Sequence, residues 1–177
     1  ELPGVKEHDR VRELLQRSAN LEFYETYKSA EIAGAMAQLD AQLRQDGKAA
    51  GINGLFLQIQ PSESPVYGLA TSQNRETIDS LLASPAAKAL LPSNLKLRWQ
   101  VKPMVVNYKD TVSGKERQMD VYQLVALKSN NGKPALDGSC VVGASSDYDQ
   151  MQGNVVSMNM NAEGARQWAN VTEANLG

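Results

Sequence analysis

Residues 95–102 alternate without exception, with Leu95, Leu97, Trp99 and Val101 on one side and Lys96, Arg98, Gln100 and Lys102 on the other. A period of two sends successive side chains to opposite faces of a strand, so this stretch predicts a sheet that is wet on one face and packed on the other. The packed face needs a second layer. Ile32, Met36, Leu39 and Leu43 supply one, because the i, i+4, i+7, i+11 spacing gathers them on one face of a helix. Ser29 is the expected N-cap of that helix, which ends near Gly47. Helices packed on a one-sided sheet make the expected fold class α+β.

The remaining segments extend the pattern. Pro3-Gly4 is a turn after a short extended segment, and Val11, Leu14 and Leu15 then recur at helical spacing to about residue 18. Leu21-Glu-Phe-Tyr-Glu25 reads as a strand from its alternation and aromatic content. Two short strands at 55–59 and 66–70 flank the loop from Pro61 to Pro65. Asn74 is the expected N-cap of a helix through Ile78, Leu81 and Leu82, and Pro85 opens a new first turn. Residues 111–116 read as a hairpin tip and 121–127 as the strand running back.

After the turn cluster Asn130-Asn-Gly-Lys-Pro134 the chain becomes rich in Gly and Ser until a strand at 154–160. Asn161 caps a closing helix with Ala165, Trp168 and Thr172 on one face, and Gly177 suits its exit. This change of character predicts a discontinuous architecture. Residues 1–26 and 135–177 form one α+β unit, and 27–134 are inserted as a second. Because the chain opens on a turn motif instead of a methionine, it reads as a piece of something longer.

Charge and composition narrow the partners. With 18 basic and 20 acidic residues the net charge is −2, which gives no long-range field to draw in nucleic acid or an anionic membrane. Cys140 stands alone, so an internal disulfide is excluded and the redox compartment stays open. No stretch approaches the roughly 20 apolar residues of a membrane span, and no charged-then-apolar leader precedes the first strand, so a water-soluble piece is expected.

The candidate chemical residues point to no cofactor, no metal and no catalytic group. His8, the one histidine, sits between Glu7 and Asp9 without the partners a metal needs. Cys140 has no histidine near it in sequence and reads as a small buried thiol. Gly143-Ala-Ser-Ser-Asp147 lacks the G-x-S-x-G spacing of a serine elbow. Asp147 and Asp149 fall short of a calcium loop, which needs more oxygen ligands and a closing glutamate. Asn170-Val-Thr172 matches a glycosylation acceptor but falls inside the closing helix. Trp99 and Trp168 read as core anchors, each on the apolar side of its element. Lys96, Arg98 and Lys102 read as a solvated sheet face, and the 61–65 loop and 111–116 tip are the better contact candidates.

Motifs at the two ends belong together. Glu1-Leu-Pro-Gly-Val5, Val11-Arg-Glu-Leu-Leu15 and Ala19-Asn-Leu-Glu-Phe23 are followed far downstream by Leu136-Asp-Gly138 and residues 142–144. Val156-Ser-Met-Asn-Met-Asn-Ala-Glu-Gly-Ala165 and Thr172-Glu-Ala-Asn-Leu-Gly177 then close the chain. In this order they resemble the first large extracytoplasmic domain of the SecD protein translocase subunit, most closely the fused SecDF form of Bacteroides-type bacteria. The matching residues are Pro3, Gly4, Leu21, Phe23, Gly138, Asn161, Gly164, Thr172, Asn175 and Gly177, all read as structural.

The resemblance implies a ferredoxin-like head inserted into a discontinuous base, on the periplasmic side of a bacterial inner membrane. It implies an accessory role in protein export driven by the proton-motive force. The head would capture and release emerging unfolded preprotein, with a hinge near Thr26 and Pro134. The implied partners are preprotein, the SecYEG channel and SecF, the latter two through the full-length protein. The family's proton-carrying residues lie in membrane helices, so no catalytic residue carries over. Weak, sequence-tolerant capture calls for exposed apolar surface or sheet edge. Two other readings stay open: a structural envelope module that docks without touching substrate, and an enzyme with an unrecognised site.

Overall fold

The computed structural model describes residues 21–109 and 114–176. In chain order the elements are β1 (Glu22–Phe23), β2 (Glu25–Thr26), α1 (Ser29–Gln45), β3 (Gln58–Ile59), β4 (Val66–Thr71), α2 (Ser72–Leu82), α3 (Pro85–Leu90) and β5 (Leu95–Trp99). They continue with β6 (Met104–Lys109), β7 (Glu116–Lys128), β8 (Leu136–Asp137), β9 (Val141–Asp149), β10 (Gly153–Met160) and α4 (Ala162–Ala174). Short 3-10 helices occupy Asn53–Leu55 and Gly138–Cys140. The chain divides into two compact units, one of residues 26–132 and the other of the residues before and after them.

In the unit of residues 26–132, α1 buries Ile32, Met36, Leu39 and Leu43, the four residues of the sequence stripe. They pack with Ile52, Tyr67 and Ala70, with Ile78 of α2 and Ala87 of α3, and with Leu124 and Ala126 of β7. Leu95, Leu97 and Trp99 pack against the same cluster, while Arg98 is exposed on the other face. Each fully buried aliphatic side chain here contributes about 2 kcal/mol of transfer free energy.

The sheet is built around β7. Its strand order is β2-β7-β4-β3, and β5 and β6 pair with β7 as well. The pairings of β7 with β4, β5 and β6, and of β3 with β4, are all antiparallel. The α+β class is the observed one, with helices over one face of an antiparallel sheet. The centre is held by the last strand of the unit, because β2 contributes only two residues and β6, which sequence reasoning missed, joins β7 beyond β5.

Two caps differ from expectation. Lys28 holds the N-cap position of α1, and Ser29 is its first helical residue. The Ser29 side chain is fully buried; its Oγ accepts from Ser62 N at 2.9 Å and lies 3.2 Å from Ser62 O. Ser29 N and Ala30 N donate to Ser64 O and Ser62 O, so the 61–65 loop takes up the helix's first N–H groups in place of a side chain. Asn74 lies inside the first turn of α2, whose N-cap is Thr71, and its amide donates to Leu55 O at 2.7 Å. Pro85 behaves as expected, opening α3 behind Ser84, whose Oγ accepts from Ala87 N.

A polar clamp ties residues 49–53 to α1. Asp40 accepts from Arg44 Nε and from Asn53 N, both at 2.8 Å, and the Arg44 guanidinium donates to Ala49 O and Ala50 O. Tyr67, its hydroxyl pushed up to about 12 by burial and the nearby Asp40 charge, donates to Asn53 Oδ1. Burial alone raises the Asp40 carboxyl, but the bonds from Arg44 and Asn53 outweigh it and hold the group below its ordinary 3.8.

A carboxyl depressed in the folded state stabilises the protein above the unfolded value, and that contribution disappears as pH falls through the folded value. Asp40→Asn is therefore expected to cost about 1–2 kcal/mol near neutral pH. The gap from the parent should close below pH 3.8 in urea titrations. A gap independent of pH would rule out the charged clamp.

The other unit pairs β1 with β8, Glu22 opposite Asp137 and Phe23 opposite Leu136. The Gly- and Ser-rich stretch ahead of the expected strand at 154–160 contains β8, a 3-10 turn and the whole of β9, which pairs with β10 along its length. Asn161 caps α4 as expected, its Oδ1 accepting from Gly164 N at 2.7 Å. The helix ends at Ala174 with Asn175 at its C-cap.

Candidate functional site

In the unit formed by the two chain ends, the described family-motif residues take part in its packing and hydrogen bonds. Phe23 and Trp168 stack edge to face with ring centroids 5.3 Å apart. Gly138 lies against Leu21; a methyl group there would sit 3.2 Å from Leu21 Cβ. Gly164 lies against Cys140 in the same manner, with an added Cβ only 2.5 Å from Cys140 Cβ. Asn175 donates to Glu25 Oε1 at 2.8 Å and to Val171 O at 2.7 Å. The Thr172 hydroxyl donates back to Trp168 O and Ala169 O inside α4. Pro3, Gly4 and Gly177 lie outside the described residues, as do His8 and the 111–113 part of the expected hairpin tip.

A groove of about 910 Å³ runs along this unit, lined by Leu21, Asp137, Cys140, Asn161, Glu163 and Gln167 among others. Its reactive groups are engaged locally. The Cys140 thiol is buried and donates to Asp137 O. The hydroxyl and N–H of Ser139 hold Asp137 below the usual carboxylate range, and Arg166 and Gln167 do the same for Glu163. Asp149, weighed as a cation ligand, accepts instead from Met151 N and Gln152 N in the turn between β9 and β10. Among the described residues no cluster of His, Cys, Asp or Glu has the makings of a metal site.

Both units expose apolar side chains on strand ribbon. In the unit of 26–132, β6 and the first half of β7 form an arm with Met104 opposite Val121, Val106 opposite Met119 and Tyr108 opposite Arg117. These pairs share one face, and Val105, Asn107 and Lys109 share the other with Asp120, Gln118 and Glu116. Val105 is 59% exposed and Val106 39%, so the arm carries apolar side chains in water. In the other unit Tyr148, Val156 and Met158 lie exposed on one face of the β9–β10 hairpin. The 61–65 loop, a contact candidate from sequence, mostly caps α1, although Ser62 and Ser64 also line a small groove of about 170 Å³ beside β3 and β4. Trp99 is a core anchor as expected, its indole N–H donating to Asp79 at 2.7 Å. Trp168 packs on Phe23 yet remains 39% exposed.

The class so defined is an α+β module of two compact units, each of which exposes apolar side chains on a strand ribbon. A family model described as SecDF, P1 head subdomain, matches residues 104–177, a span that takes in the β6–β7 arm and continues through β8–β10 and α4. Protein translocase subunit SecD of Rhodothermus marinus is 28% identical over a 206-residue alignment. That alignment covers all of this chain and 31% of the relative, so the chain spans about a third of that protein. No solved structure matches. Both matches are to proteins of the SecD/SecDF kind that the terminal motifs resemble. No helix among the described residues is long and apolar enough to cross a membrane.

Proposed function

We propose that the chain is the outward-facing P1 module of a Sec translocase accessory subunit, which binds emerging preprotein weakly during export. Residues 27–134 are the head in this reading and the chain ends form the base, although the head-subdomain match over 104–177 also takes in the C-terminal part of that base. The connections near Thr26 and Pro134 are the hinge through which a proton-driven membrane part acts on the head. SecYEG and SecF are partners of the full-length protein, and the fragment lies on the periplasmic side. The observation that carries the reading is the match of the whole chain to SecD. The exposed apolar arm of β6 and β7 fits a client held loosely and without sequence selection.

A titration of the isotope-labelled chain with unfolded peptides tests this. Fast-exchange shifts within residues 26–132, with dissociation constants in the micromolar to millimolar range, are expected. Absence of any shift at saturating peptide would end the reading. Shifts confined to the other unit would favour a docking module, to which the exposed row Tyr148, Val156 and Met158 lends some support.

A further inference from the structure

Strand β6 is an edge, and the direction of its unpaired backbone groups follows from the ladder. Gln123 directs its carbonyl at Gln100 N, toward the β5 side of β7, whereas Ala126 bonds to Pro65 O and Tyr27 N on the opposite side. Along β7 the residues two and four before Gln123, and then Arg117, point the same way as Gln123, so Val121, Met119 and Arg117 are those that bond to β6. Their partners Met104, Val106 and Tyr108 therefore turn N–H and C=O inward. Val105, Asn107 and Lys109 turn theirs outward, and among the described residues no strand pairs with that edge.

All three outward residues are exposed. The edge lacks the usual protection, since Val105, Val106, Asn107 and Tyr108 place no charge, proline or bulge in mid-strand. A guest strand laid along it would continue the apolar face of Met104, Val106 and Tyr108 with every second side chain. Residues 101–109 carry Lys102 and Lys109 and no carboxylate, so the ends of the edge favour an acidic guest. A second copy of this edge would bring lysine-bearing strands together.

We propose that the outer edge of β6 is the capture site of residues 26–132, taking an unfolded polypeptide segment as an added β-strand. The favoured segment alternates apolar side chains and carries acidic residues at its flanks. Three outward residues give main-chain bonds to any sequence, and the apolar row gives a mild preference. This rests on the proposed preprotein-binding function and names its surface.

The test uses the whole chain and a peptide of alternating valine and threonine flanked by glutamates. Bound peptide is expected to slow hydrogen exchange at the amides of Val105, Asn107 and Lys109 and to leave those of Met104, Val106 and Tyr108 unchanged. Asn107→Pro removes one outward donor without touching a β6–β7 bond and should weaken binding about tenfold. Where that variant fails to fold, Lys102→Glu with Lys109→Glu should weaken the glutamate-flanked peptide and favour a lysine-flanked one. Protection that falls instead on Gln58–Leu69 or on β9–β10 would overturn the site while leaving peptide binding intact. Protection of the three edge amides that grows with protein concentration alone would assign the edge to a second copy and overturn it too. No binding anywhere would remove both the site and the function it rests on.

Discussion

Leu39→Ala is expected to lower the stability of residues 26–132 by about 3 kcal/mol. Leu39 is fully buried at the centre of the α1 stripe, in one cluster with Met36, Ile52, Tyr67 and Leu124. Truncation removes its transfer free energy and leaves a cavity that neighbours on three helices and the sheet cannot all close. The chain has two tryptophans, and they fall in different units, Trp99 in residues 26–132 and Trp168 in the other. Their indole N–H signals in a urea titration therefore report each unit separately. The Trp99 transition should move to lower urea and the Trp168 transition should stay. Equal movement of both would show that the units unfold as one and would overturn the head-and-base division.

Gly164→Ala is expected to do the reverse, destabilising the unit of the chain ends by about 2–3 kcal/mol. Inside a helix this change ordinarily stabilises by about 1 kcal/mol. Here the new methyl group would lie 2.5 Å from Cys140 Cβ, 3.3 Å from Cys140 O and 3.2 Å from the Asn161 oxygen that caps the helix. Backbone and cap must shift together, so steric cost outweighs helix propensity. The Trp168 transition should move and the Trp99 transition should not. Cys140→Gly in the same background removes the closest atom and should recover part of the loss, a coupling that a double-mutant cycle measures. A Gly164→Ala protein as stable as the parent would show that α4 does not rest on Cys140.

What sequence reasoning could read were patterns that declare themselves within one element. The stripe Ile32, Met36, Leu39 and Leu43, the cap at Asn161, the Ser84-Pro85 helix start and the strand Leu95–Trp99 all carry their period or their hydrogen-bond chemistry locally. The misses were decided by partners far along the chain. β9 runs through Gly143-Ala-Ser-Ser, which has neither alternation nor β-branched residues, and is a strand because β10 folds back on it. β6 has suitable residues in Val105, Val106 and Tyr108, but both its faces are wet, so no apolar and polar contrast marks it. Ser29 was misassigned because the loop that caps α1 lies about 30 residues downstream, beyond any local capping rule. The capture surface proposed above was invisible for the same reason: an edge is a property of the assembled sheet.

The two borders of the central sheet are unequal. β3 offers only Gln58 and Ile59 on one side, whereas the other side carries the five residues of β5 and the six of β6, each paired among the described residues with β7. A sheet that can lengthen from both borders nucleates fibres, because every chain added leaves a fresh template behind. At the β3 border the template is a dipeptide, so addition of strands there is disfavoured. A strand added at β6 therefore meets no template of equal length at β3.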